Sequence, residues 1–156
     1  MEPEPTYSDD GMQPPARLRA LTSWQASKVS LLGTRMTAQH MPLTARADFA
    51  VLAALEEYGE LSQADLGRRL GLDRNEISGI VTRLHRDHHL DRHVDPDNRR
   101  RNVVTLTASG KRYLEEIQHH TDTVQNELLV GLTAAERRQL NALLTKLLSS
   151  HKTQSA

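Results

Sequence analysis

Residues 62–90 read "SQADLGRRLGLDRNEISGIVTRLHRDHHL" and contain two helix starts in close succession. Ser62 stands three residues before Asp65, an acid-type capping box, and Gly71 closes a helix of little more than two turns. Asp73 and Glu76 form a second box. Behind it Ile77, Ile80, Val81 and Leu84 recur at i, i+3, i+4 and i+7, which gives one buried stripe. Two helices joined by little more than Gly71 and Leu72 have the brevity of a helix-turn-helix. Gly79, inside the second helix, costs about 1 kcal/mol relative to alanine; it reads as close approach of a neighbouring helix or as simple tolerance.

After Leu90 the helical period gives way to short runs around His93 to Val94 and Val103 to Leu106. They are separated by the turn formers of "DPDNRRRN", so the sequence predicts a small hairpin with Arg99, Arg100 and Arg101 at its tip. Upstream, "LTARADFAVLAALEEYG" predicts a helix capped by Thr44, carrying Phe49, Leu52 and Leu55, and stopped at Gly59. Before it, Leu18, Leu21, Val29, Leu32 and Met36 predict one helix over residues 16–39, with Pro42 beyond its end. Downstream, a helix starts from a Thr107 or Ser109 cap. A last helix has Thr133 and Glu136 as its box and Leu140, Leu143, Leu144, Leu147 and Leu148 as one stripe. The expected fold is mainly α with a small two-stranded β-wing: a winged helix-turn-helix lobe at about 43–107 and a helical dimerisation region at about 16–40 and 110–150. Together these form a single domain over 16–150, flanked by a disordered acidic tail at 1–15 and a short tail at 151–156.

The chain has 156 residues, the length of one domain, and no cysteine, which excludes disulfides, thiolate metal ligands and thiol-based sensing. It has no long apolar run and opens with acidic residues, so neither a membrane span nor a secretory signal is predicted and a cytoplasmic location is expected. Net charge is zero, but its distribution is uneven. Residues 1–10 carry four acids and no Lys or Arg, whereas residues 62–112 carry eleven basic against seven acidic side chains. With one Phe, one Trp and three Tyr the chain is poor in stacking platforms for single-stranded bases.

A helix pair followed by an arginine-rich hairpin suits duplex DNA, where phosphate and the minor groove serve as partners for clustered guanidinium groups. On the second helix of the pair, the face opposite the buried stripe offers Arg74, Asn75, Ser78, Thr82, Arg83 and Arg86. Arg reads guanine and Asn reads adenine in the major groove, and Arg74, Asn75 and Ser78 lie in the first turns, where base edges are met. Ser62 and Gln63 at the first helix start, together with Arg99, Arg100 and Arg101, complete the candidate DNA-binding set.

From about Leu43 to Ile117 the chain resembles the multiple antibiotic resistance regulator (MarR) family of winged helix-turn-helix transcription factors. The matching pieces are "LTARADFAVLAAL", "LSQADLGRRLGLDRNEISGIVTRL", "DPDNRRRNVVTLTASGKRYL" and the leucine-rich last helix. The resemblance implies a homodimer on a pseudo-palindromic operator, with half-sites about 34 to 36 Å apart. It also implies repression relieved by a small anionic aromatic effector in a cleft lined by Trp24, Arg46, Asp48 and Phe49. Some relatives sense zinc, for which His40, Asp48, His119 and His120 are the conceivable set. Adjacent histidines on one helix point about 100° apart, so no metal and no cofactor is expected. His85 and His89 share a helix face and read as polar surface. Two departures stand out: Asn98 occupies the position of a wing aspartate that braces an arginine, with Asp97 displaced by one, and a left-handed glycine is missing at His89.

The exposed stripes of the first and last helices support association on physical grounds, since a chain this small has difficulty covering both. No Gly-rich phosphate loop, G-x-S-x-G or H-E-x-x-H occurs, so no enzyme is predicted. The rival reading within the fold is a winged protein-interaction module without DNA binding, which would not need three consecutive arginines.

Overall fold

A computed structural model describes residues 13–152, the last of them for its backbone only. The elements in chain order are α1 (Ala16–Arg19), α2 (Thr22–His40), α3 (Thr44–Tyr58), β1 (Leu61–Ser62), α4 (Gln63–Leu70), α5 (Arg74–Arg86), β2 (Leu90–Asp95), β3 (Asn98–Leu106), α6 (Ala108–Leu128) and α7 (Ala134–Lys152). The core joins Val51, Leu52 and Leu55 of α3 to Leu66 of α4, the Ile77, Ile80, Val81 and Leu84 stripe of α5, Leu90 and Val104 of the sheet, and Leu114 and Ile117 of α6. Helices α2 and α3 both pack on α6, and α4 packs on α5.

Helix boundaries depart from the sequence reading in several places. The predicted helix over 16–39 breaks at Ala20 and Leu21: Leu21 is extended, and the Gln25 side chain donates to the Arg19 carbonyl at 2.8 Å, closing α1 from the far side of the break. Of the predicted disordered tail, residues 1–12 lie outside the described residues. The Pro14 carbonyl accepts from Arg19 Nε at 3.0 Å, and the Pro15 carbonyl accepts the Leu18 amide at 2.9 Å. At the other end α7 continues to Lys152, and the rest of the tail predicted from 151 lies outside the described residues. Thr44 does not cap α3; its first turn is held by the Pro42 and Leu43 carbonyls. Ser62, Asp73, Thr107 and Thr133 do cap their helices with their side chains.

The predicted hairpin is β2 and β3, and a third strand joins it to make a three-stranded sheet. β1 pairs antiparallel with β3 through Leu61↔Val104 and Ser62↔Val103, giving the order β1-β3-β2. Two residues carry no period-2 signal, so sequence alone had nothing from which to propose this strand. Gly79 is exposed, and a Cβ there would meet nothing within 4 Å, so no neighbouring helix approaches it.

The turn from α5 into the wing places its left-handed residue at His88 (φ 62°), one position before the expected one. His89 N–H reaches the Leu84 carbonyl at 2.9 Å and His88 N–H the His85 carbonyl at 3.0 Å, the Schellman pattern, in which glycine is usual at the His88 position. A side chain in this conformation costs roughly 1 kcal/mol. His88→Gly is therefore expected to stabilise the fold by roughly 1 kcal/mol, with the carbonyl that accepts the Thr107 hydroxyl at 2.7 Å retained. A denaturation midpoint that falls in this variant would contradict the strain.

Candidate nucleic-acid interface

The first turn of α5 is built by its cap. Asp73 Oδ1 accepts the amides of Asn75 and Glu76, both at 2.8 Å, and Glu76 Oε2 accepts the Asp73 amide at 2.8 Å. Both acids are thereby consumed on the backbone, and the side chains of Arg74 and Asn75 stay exposed beside them. Ser78 is half-buried on the next turn, Thr82 is exposed with Arg92 Nη1 at 3.5 Å, and Arg86 is exposed next to Asp87 at 3.4 Å.

Arg83 departs from the sequence reading. Its guanidinium turns inward to Asp48, a carboxylate of α3 that is only 4% exposed, and Asp48 Oδ2 accepts the Tyr113 hydroxyl of α6 at 3.0 Å. One buried carboxylate thus ties three helices together. Tyr113 also stacks on His89 with ring centroids 4.4 Å apart, and His89 Nδ1 lies 3.1 Å from Ser109 Oγ. Burial, followed by the neighbouring Asp48 carboxylate, pushes the Tyr113 phenol up to about 12. A phenol raised in the folded state contributes stability that is complete below its unfolded value of 10.0 and is lost as pH rises towards the folded value. The stability difference between the native chain and Tyr113→Phe should accordingly hold constant below that pH and shrink above it. A constant difference across the alkaline range would remove the link.

Ser62 is likewise not placed on the outer surface. It is 2% exposed, its Oγ accepts the Asp65 amide at 3.0 Å, and its hydroxyl donates to Asp65 Oδ2 at 2.8 Å. Gln63 is half-buried, with Oε1 buried and without a partner among the described residues. It lines a cleft of about 830 Å³ between α4, the α4–α5 turn and the wing, together with Arg68, Arg74, Arg100 and Arg101.

The wing arginines owe their prominence to strand register. Leu90 to Val94 pair in step with Leu106 to Asn102, but Asp95 pairs with Asn98, so Arg99, Arg100 and Arg101 are the residues of β3 left without a partner on β2. They form a bulge just after a Pro96–Asp97 turn rather than the turn itself. Asn98 Oδ1 accepts the Arg100 amide at 3.1 Å and Asp95 Oδ1 the Asp97 amide at 2.9 Å, so the position occupied by Asn98 shapes backbone and braces no guanidinium. The side chains of Arg99 and Arg100 have no hydrogen bond or ion pair among the described residues. Arg101 does: its Nη2 lies 2.8 Å from Asp65 Oδ2 and its Nε 3.8 Å from Asp95 Oδ2. The Ser62 hydroxyl, aided by Arg68 and Arg101, holds the Asp65 carboxyl below its ordinary value.

Of the predicted effector residues, Arg46 and Phe49 line a separate cavity of about 160 Å³ between α2, α3 and α6, with Thr37, Met41 and Thr121. Trp24 and Asp48 do not line it. Trp24 sits under Lys28 at 5.1 Å, and Asp48 is occupied by Arg83 and Tyr113. The histidines are dispersed: His40 faces Glu127 at 3.1 Å, His85 Nδ1 the Leu90 carbonyl at 3.2 Å, His93 faces Glu60 at 3.5 Å, and His119 meets His120 edge-on at 6.0 Å. Among the described residues no three metal-ligating side chains gather, and no helix is long and apolar enough to cross a membrane.

A helix pair with an exposed Arg–Asn first turn, flanked by a wing that extrudes cations, defines a winged helix-turn-helix DNA-binding regulator. Residues 42–101 match the model of the MarR family. The chain is 32% identical over 109 residues to the HTH-type transcriptional repressor NicR of Pseudomonas putida, covering 70% of this chain and 69% of NicR. It spans between 57% and 69% of the length of the first three curated relatives it matches. In fold it is similar to the PcaV transcriptional regulator of Streptomyces coelicolor, solved with its natural ligand (TM-score 0.75, 24% identity, 89% of this chain and 99% of that one). It is also similar to Bordetella bronchiseptica BpsR, whose DNA binding is regulated by 6-hydroxynicotinic acid (TM-score 0.72, 28% identity, 80% of this chain and 96% of that one). The chain belongs to the MarR family.

Proposed function

We propose that two copies of this chain bind a two-fold symmetric duplex as a repressor that a small anionic aromatic ligand releases. The observation that carries the reading is the arginine bulge of β3, whose Arg100 and Arg101 share a cleft with Arg74 in the exposed first turn of α5. In this reading Arg74 and Asn75 address base edges in the major groove while Arg99 and Arg100 take phosphate and the minor groove. Ser78 and Thr82 adjoin the same face, Arg86 lies toward the backbone, and Gln63 approaches the duplex from the cleft.

Self-association is supported by apolar surface that one copy leaves uncovered. Leu31 and Leu32 of α2 are 44% and 46% exposed, and Leu143, Leu147 and Leu148 of α7 are 56%, 47% and 65% exposed. Effector control is supported by the cavity at Arg46, a cation held by Thr34 Oγ1 at 2.8 Å above an apolar floor that includes Phe49 and Ile117. At about 160 Å³ it suits a single ring with a carboxylate rather than a drug-sized molecule. The similarity to BpsR makes hydroxylated pyridine carboxylates the first compounds to try.

Selection of bound duplexes from a random pool tests the reading directly. A two-fold symmetric consensus whose retention falls with the effector, and falls less in Arg46→Ala, is the expected result. An enriched pool without sequence preference would leave only a general polyanion binder, and no retention of any duplex at low ionic strength would favour the protein-interaction module.

A further inference from the structure

The bulged arginines of β3 are not equivalent. Arg99 and Arg100 have no side-chain partner among the described residues, whereas Arg101 is held between Asp65, in the first turn of α4, and Asp95, at the end of β2. A bulge lacks the ladder bonds that order the rest of a strand. Its conformation must therefore come from the Asx contact at Asn98 and from whatever its side chains grip. Asp65 offers a firm grip because its carboxylate is itself fixed by the Ser62 hydroxyl and by Arg68. A lone exposed ion pair contributes little, but here one cation joins two carboxylates on separate elements, and one of these also receives two other donors.

We propose that Asp65 and Arg101 are a positioning pair: Arg101 is an internal tether of the wing to the helix-turn-helix, and the pair aims Arg99 and Arg100 at the duplex without contacting it. The DNA-facing half of this statement rests on the function proposed above, while the tether does not. Simple electrostatics makes the opposite prediction for Asp65. Removing a carboxylate from a surface that meets phosphate should tighten binding, and removing a phosphate-contacting arginine should lower the slope of log K against log salt by about 0.9.

The first arm of the test uses no DNA. Trypsin cleavage after Arg99 and Arg100 should be severalfold faster in Asp65→Asn and in Arg101→Ala than in the native chain; equal rates overturn the tether. The second arm measures affinity for a duplex selected by the native chain. Each single variant should bind roughly tenfold more weakly, and the double variant no more weakly than either single. Asp65→Asn binding as tightly as the native chain, or losses that add, overturns the positioning role. Arg101→Ala leaves the Ser62 and Arg68 contacts of Asp65 intact, so it reports on the tether even where Asp65→Asn weakens the cap of α4. A native chain that binds no duplex would remove the regulator reading, with the cleavage arm still deciding the tether.

Discussion

Arg83→Met is expected to lower the free energy of unfolding by roughly 3 to 5 kcal/mol, the cost of leaving a buried carboxylate without its cation. Asp48 is only 4% exposed and cannot recover the loss from water, and the Tyr113 hydroxyl is a single neutral donor. Asp48→Ala should cost less. Arg83 retains 30% of its side-chain exposure and can turn its guanidinium to solvent, leaving only the Tyr113 hydroxyl short of a partner. This order of losses, with removal of the arginine worse than removal of the acid, separates a buried tether from a free surface cation, whose loss stays within about 0.5 kcal/mol. Urea unfolding at neutral pH decides between them. A negligible change for Arg83→Met would return Arg83 to the outer face of α5.

Gly110→Ala should be as damaging, for a steric reason. A Cβ at Gly110 would stand 1.8 Å from the His89 carbonyl oxygen, 2.8 Å from its carbonyl carbon and 2.8 Å from Leu106 Cδ1. Two of these three atoms are backbone, and they belong to the turn that joins α5 to the wing, so α6 and that turn must separate. The expected loss is about 3 kcal/mol or more, at the upper end for overpacking. Gly79→Ala supplies the contrast within the same protein: with nothing within 4 Å and a helical backbone, it should gain up to about 1 kcal/mol. Thermal melts of the two variants should therefore shift in opposite directions, and a native-like Gly110→Ala would mean that the turn packs more loosely against α6 than described.

The helix-turn-helix was legible because its determinants are neighbours along the chain. The Asp73–Glu76 box and the Ile77, Ile80, Val81 and Leu84 stripe depend on spacings within one helix, and all four apolar residues are buried. The same holds for Thr133 and Glu136 at α7. For the site residues, side-chain type and helical face were the only guides along the chain. Those guides could not tell Arg74, exposed beside its cap, from Arg83, nine residues along the same helix but turned to a carboxylate from α3. Nor could they separate Arg101 from Arg99 and Arg100, since Asp65, the nearer of the two acids that hold it, is 36 residues away in sequence.

The order of residues alone therefore determined the capped starts of α4, α5, α6 and α7, the buried stripe of α5, the family and the clustering of cations at the wing, since caps, stripe and cluster are set by neighbours within a turn or two of the chain. Tertiary structure decided which of those cations remain available. A guanidinium goes to the nearest fixed carboxylate, and Asp48, Asp65 and Asp95 arrive beside Arg83 and Arg101 only when α3, α4 and the wing have packed. It likewise decided the strand register, in which Asp95 pairs with Asn98 and so forces three consecutive arginines out of the ladder.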